Sequence, residues 1–134
     1  MRLCLATGLL AVLSCLGSSA LGADIFIVTS AEVKLSASDI REIYVGDMEF
    51  SGGLRLVPVD NQAVQAEFVA RVLSMGLDRY NTLWTKKAFR DALNPPAVKP
   101  TDMEVLNFVR QNRGAIGYVS SPPRDKSVNV VGKF

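Results

Sequence analysis

Four short runs of apolar residues punctuate the chain, and between them apolar positions recur every third or fourth residue. Ile25-Phe26-Ile27-Val28 is continuous and stops at Thr29-Ser30, the pattern of a strand buried on both faces. Leu54-Arg55-Leu56-Val57-Pro58-Val59 predicts a second strand, with Pro58 marking its end or an edge. Residues 115–119 predict a third strand and residues 127–131 a fourth, parted by the turn Ser121-Pro122-Pro123. Helical spacing fills the gaps. Ile40, Ile43 and Tyr44 mark one helix, which stops at Gly46; Val64, Phe68, Val69, Val72 and Leu73 mark another, ending near Gly76. Tyr80, Leu83, Trp84 and Ala88 place a third against the core, and Asn94-Pro95-Pro96 breaks the chain after it. Met103, Leu106 and Val109 carry a fourth, ending at Gly114. Strands alternating with helices predict an α/β layer fold with a largely parallel sheet.

Cap chemistry sharpens the helix starts. Ser36 with Asp39 forms a capping box, and Leu35 can staple to Ile40. Asp60 or Asn61 caps the second helix, Asp78 the third, and Thr101 with Glu104 makes a second box. Residues 47–53 read as a loop with Phe50 tucked inward. Ser51-Gly52-Gly53 is its hairpin-like turn and not a phosphate loop, since neither Lys-Ser/Thr nor a helix follows.

Ahead of this pattern, residues 1–22 hold one positive charge (Arg2), an apolar block over residues 3–16 and a small-x-small end at Ala20-Leu21-Gly22. These are the parts of a cleavable secretory signal, and the block falls short of the about 20 residues that span a bilayer. Two processing readings follow: cleavage after Gly22, which we prefer, or lipidation at Cys15 within Val12-Leu13-Ser14-Cys15, where Leu13 is bulky for a lipobox. Residues 23–134 then form one domain, periplasmic or secreted, or anchored through Cys15.

Composition narrows the chemistry. Both cysteines, Cys4 and Cys15, lie in the signal, and the sequence has no histidine. The 112 residues left after Gly22 therefore have no disulfide, thiol nucleophile, imidazole base or common zinc set. No cofactor or metal is expected, and no enzymatic activity. Removing Arg2 from the 15 Lys and Arg leaves 14 against 13 Asp and Glu. That balance gives no reason to expect nucleic acid or an anionic membrane as a partner, and no membrane insertion is expected after signal cleavage. Asp60 with Glu67, and Asp47 with Glu49, read as surface or capping carboxylates. Lys86, Lys87 and Arg90 read as a solvated face, Trp84 as core, and Gly117 as a place of close approach.

Leu35-Ser36-Ala37-Ser38-Asp39-Ile40-Arg41-Glu42-Ile43-Tyr44-Val45-Gly46, then Val57-Pro58-Val59, Trp84, Pro95-Pro96 and Gly114-Ala115-Ile116-Gly117-Tyr118-Val119 follow one another in this order. The succession resembles a family of short bacterial proteins similar to phosphate ABC-importer substrate-binding proteins. The resemblance covers nearly all of residues 25–120. It implies a three-layer periplasmic-binding-protein-like single lobe, with a mixed, largely parallel sheet, similar to the second lobe of the two-lobed members plus a crossing strand.

In the phosphate-binding members an Arg follows the second strand, Ser-Gly-Thr opens the next helix, and a Phe lies eight residues after the Arg. Phe68 fits that Phe, which places Asp60 at the arginine and Val64-Gln65-Ala66 at Ser-Gly-Thr. Arginine supplies a bidentate fork for an oxyanion and hydroxyls supply neutral donors; Asp60 brings a negative charge instead. The expectation is an exported solute-binding-like module with the usual phosphate ligands replaced. Asp60, Asn61, Gln62 and Gln65 are its candidate ligand contacts, and the solute is a small oxyanion or another small molecule. The alternative is a non-transport exported interaction or sensory-accessory protein that uses the former cleft face to bind a protein partner or itself.

Overall fold

A computed structural model describes residues 24–134; the signal segment, the Gly22 boundary and Cys15 lie outside the described residues. The elements are β1 (Phe26–Thr29), α1 (Ala37–Tyr44), β2 (Phe50–Ser51), β3 (Leu54–Arg55), β4 (Val57–Asn61) and α2 (Gln65–Arg71). After them come α3 (Leu77–Asp91), β5 (Ala97–Lys99), α4 (Asp102–Gln111), β6 (Ala115–Val119) and β7 (Asn129–Lys133). Five strands form a sheet in the order β5-β4-β6-β1-β7. β4 runs parallel to β5 and β6, while β1 runs antiparallel to both of its neighbours. Four strands thus point one way and β1 against them.

Side-chain alternation along these strands divides the core into two layers. Ile27, Ile116 and Tyr118 pack with Ile40, Ile43 and Tyr44 of α1, Phe68 and Val69 of α2, and Tyr80 and Trp84 of α3. Val28, Val59, Ala115 and Val119 face the other way, onto Val105 and Val109 of α4. The architecture is three-layered and α/β.

The α1 start is as the sequence predicts: Asp39 N donates to Ser36 Oγ at 3.0 Å, and Ser36 N donates to Asp39 Oδ2 at 2.8 Å. At α4, Glu104 N donates to the Thr101 hydroxyl at 3.3 Å. Gly52 and Gly53 both have positive φ, 54° and 81°, which suits the two-residue turn between β2 and β3.

Several expectations change. Neither Asp60 nor Asn61 caps a helix: β4 runs on through both, and the N-cap of α2 is Val64, with no side-chain cap bond. Pro58 does not end the strand. It pairs with Ile116 of β6 on one side, while β5 joins only from Val59 onward, so its missing N–H interrupts no ladder. The N-cap of α3 is Gly76, and Asp78 sits in the first turn. Phe50 is 54% exposed, because β2 and β3 form a separate two-stranded ribbon. Ala88 and Met103 face outward, leaving Val105 and Val109 as the buried positions of α4. The last strand begins at Asn129, two residues later than expected.

Candidate functional site

Strand period decides where Asp60 points. Val59 faces α4, so Asp60, the next residue, faces the α1–α3 layer alongside Tyr118 of the neighbouring strand. Asp60 is 1% exposed. Tyr118 donates its hydroxyl to Asp60 Oδ1 at 2.8 Å, and Tyr80 donates to Oδ2 at 2.9 Å. Burial pushes the Asp60 carboxyl up to about 6; hydrogen bonds from Tyr118, Tyr80 and Gln65 pull it back part of the way. Burial, then the Asp60 charge, raises the phenols of Tyr80 and Tyr118 well above their ordinary value. A carboxylate that accepts from several donors is satisfied where a bare one would be very costly.

Packed rings hold these hydroxyls in place. Tyr118 stacks on Phe68 with centroids 3.8 Å apart and planes 7° from parallel. Tyr44 meets both rings edge-on, and its hydroxyl donates to the carbonyls of Val59 and Ile116 at 2.9 and 3.2 Å. A cavity of about 430 Å³ opens beside Asp60. Gln65, Tyr80, Asn81, Trp84 and Thr85 line it together with Phe89, Pro95, Pro96 and Val98. The Thr85 hydroxyl is committed to the Asn81 carbonyl at 2.9 Å. Among the described residues no Lys or Arg lines this cavity.

Of the candidate contacts, the fold brings Asp60 and Gln65 together at the cavity. Asn61 turns to the opposite face of the sheet, where its Nδ2 donates to Asp102 Oδ1 at 2.7 Å and to the Tyr118 carbonyl at 3.0 Å. Its Oδ1 accepts from Ala63 N at 3.1 Å. Asp102 Oδ2 also accepts from the Ser120 hydroxyl and amide, so Asn61 belongs to a closed network tying β4, β6 and α4. Gln62 is exposed, and its amide donates to the Lys99 carbonyl at 2.8 Å. The carboxylate pairs separate: Asp47 takes Lys87 at 2.6 Å, while Glu67 is exposed and Asp60 buried.

Sequence reasoning missed Tyr118 and the hydroxyl of Tyr80 as partners of Asp60. The available signal was generic: tyrosines placed in a core must find polar partners. Among the described residues no group of three or more His, Cys, Asp or Glu is arranged to hold a metal ion. None of their helices is long and apolar enough to cross a membrane.

No protein-family model matches this sequence, and no curated protein matches it. Solved structures do match. A protein from Clostridium perfringens, described as a phosphate ABC transporter substrate-binding protein and crystallised with bound phosphate, superposes with a TM-score of 0.63 at 20% identity. An ABC-type phosphate transport receptor from Vibrio cholerae superposes with a TM-score of 0.61 at 18% identity. Each match covers 81% of this chain, and 45% and 46% of those chains respectively. The chain has the fold of part of these proteins and spans less than half of their length.

Proposed function

We propose that this chain is an exported solute-binding-like module in which the oxyanion cradle has given way to a site centred on a carboxylate. Export rests on residues 1–22, with processing after Gly22. The fold similarity to phosphate-binding proteins supports the module. One observation carries the change of ligand: Asp60 stands where the family resemblance puts an arginine, buried and held by Tyr80 and Tyr118. Near neutral pH it is an anion. Two unit charges about 4 Å apart repel by about 4 kcal/mol at an effective dielectric of 20, and among the described residues no side chain lining the cavity offsets this with a positive charge.

Calorimetry with inorganic phosphate tests the reading. Binding should be no tighter than about millimolar, a free energy of about −4 kcal/mol. Micromolar phosphate affinity would refute it.

A second reading is favoured by Phe89 and Val98, 91% and 50% exposed beside the same cavity. Exposed apolar side chains around a cleft suit a protein partner or a second copy. Sedimentation of the wild type and of Phe89→Ser separates the two readings: association that depends on Phe89 supports the interaction role.

A further inference from the structure

The cavity beside Asp60 has the volume of a small-ligand site, and its chemistry is one-sided. Among the described residues its ionisable lining groups are Asp60 and Tyr80. The remaining walls are largely ring and aliphatic surface: Trp84, Phe89, Pro95, Pro96 and Val98. Phe89 and Val98 are the exposed members, and Asp60 is the buried polar end.

Resting on the reading that the oxyanion cradle is gone, we propose that this cavity binds a small organic cation. The ligand is a primary ammonium whose short apolar body lies against Trp84, Pro95 and Val98, and whose N–H groups reach Asp60. Each Asp60 oxygen accepts one tyrosine hydroxyl. A carboxylate has about four lone-pair sites; the two tyrosines and Gln65 use about three, which leaves about one for the ammonium, and the tyrosines fix the carboxylate plane. Trp84 is part of the wall, and an indole is the aromatic group that attracts cations best.

Asp60 meets Tyr80 from α3, Tyr118 from β6 and Gln65 from α2, with the Tyr44 phenol of α1 in electrostatic range. None of these is a cation. An ammonium therefore meets only this carboxylate's charge among them, and binding weakens as the carboxyl takes up its proton near pH 6.

The test uses calorimetry and ¹H–¹⁵N shifts of the purified protein with three probes: 3-methylbutylamine, 3-methylbutan-1-ol and inorganic phosphate. At pH 7.5 the amine should bind at least tenfold more tightly than the alcohol, shifting the Trp84 indole N–H, and should weaken about tenfold at pH 5. Asp60→Asn should lose at least tenfold in amine affinity. Should that variant fail to fold, Ala88→Arg, at an exposed position lining the cavity, places a cation there and should also weaken the amine. Equal affinity for amine and alcohol, amine shifts confined to other surfaces, or indifference to both substitutions would overturn the proposal. Absence of both amine and phosphate binding would overturn it while leaving the loss of the oxyanion cradle intact. Micromolar phosphate binding would remove the reading beneath it.

Discussion

Tyr118 and Asp60, on neighbouring strands, are joined by a 2.8 Å hydrogen bond in which the phenol donates and the carboxylate accepts. Tyr118 lies in β6 and stacks on Phe68, so the donor is clamped by the core. Asp60 is consequently part of the packing between sheet and helices as well as of the cavity. Its protonation state bears on stability and on ligand together.

Stability should fall as pH rises from about 4 to about 6. The unfolded Asp60 carboxyl titrates near the ordinary value of about 3.9, and the folded one near about 6. Between these values the native state holds a proton that the unfolded state has released, so raising the pH favours unfolding. Above the folded value the loss is complete, on the order of 3 kcal/mol for about two pKa units. Asp60→Asn should flatten that slope and be at least as stable as wild type at pH 7.5, as read from denaturant midpoints at pH 4.5 and 7.5. Parallel pH profiles for the two proteins would show that Asp60 is not the group responsible.

Tyr118→Phe removes a donor from a buried anion and should cost about 1–3 kcal/mol at pH 7.5. At pH 4.5 the carboxyl is protonated in the folded protein, so the same substitution should cost less. A cost independent of pH would mean that only ring packing matters at this position.

Much of the fold can be read from sequence because its signals are local. The Ser36–Asp39 box, the Gly46 stop and the residue 115–119 run each lie within a few residues, and each is where the pattern places it. Asp60 is different. An Asp-Asn pair ahead of apolar residues at helical spacing looks like a helix cap. Its real surroundings are set by Tyr80 and Tyr118, 20 and 58 residues away. β5 escapes for a similar reason: Ala97, Val98 and Lys99 follow two prolines and carry no period, and they become a strand because β4 offers an open edge from Val59 to Asn61.

Glycines should prove structural. A Cβ at Gly117 would stand 2.5 Å from Val105 Cγ1 and 3.2 Å from Val59 Cγ2, on the face where α4 packs. Gly117→Ala should cost about 1–3 kcal/mol by overpacking. At Gly114 the Cβ would stand 1.8 Å from the Arg55 carbonyl oxygen. Backbone cannot rotate aside as a side chain can, so Gly114→Ala should cost more than Gly117→Ala. Denaturant midpoints in the reverse order would contradict this placement.

Like Pro95 and Pro96, Trp84 lines two cavities, one of about 350 Å³ beside Gly46 and Leu56 and the other beside Asp60. It is 6% exposed, and its Nε1 donates to the Tyr44 carbonyl at 3.1 Å. Trp84→Ala should join the cavities and cost about 3–5 kcal/mol, whereas Trp84→Phe loses mainly the hydrogen bond, about 1 kcal/mol. Gly46 supplies an internal check. Its φ is +80°, and a Cβ there would stand 2.8 Å from Trp84 Cη2. Gly46→Ala therefore carries two penalties, backbone strain of about 1–2 kcal/mol and a clash with the indole. Removing the indole relieves only the second. Gly46→Ala should thus cost less in the Trp84→Ala background than in wild type, a coupling readable from a double-mutant cycle of unfolding free energies. Strict additivity of the two substitutions would show that the indole does not press on Gly46.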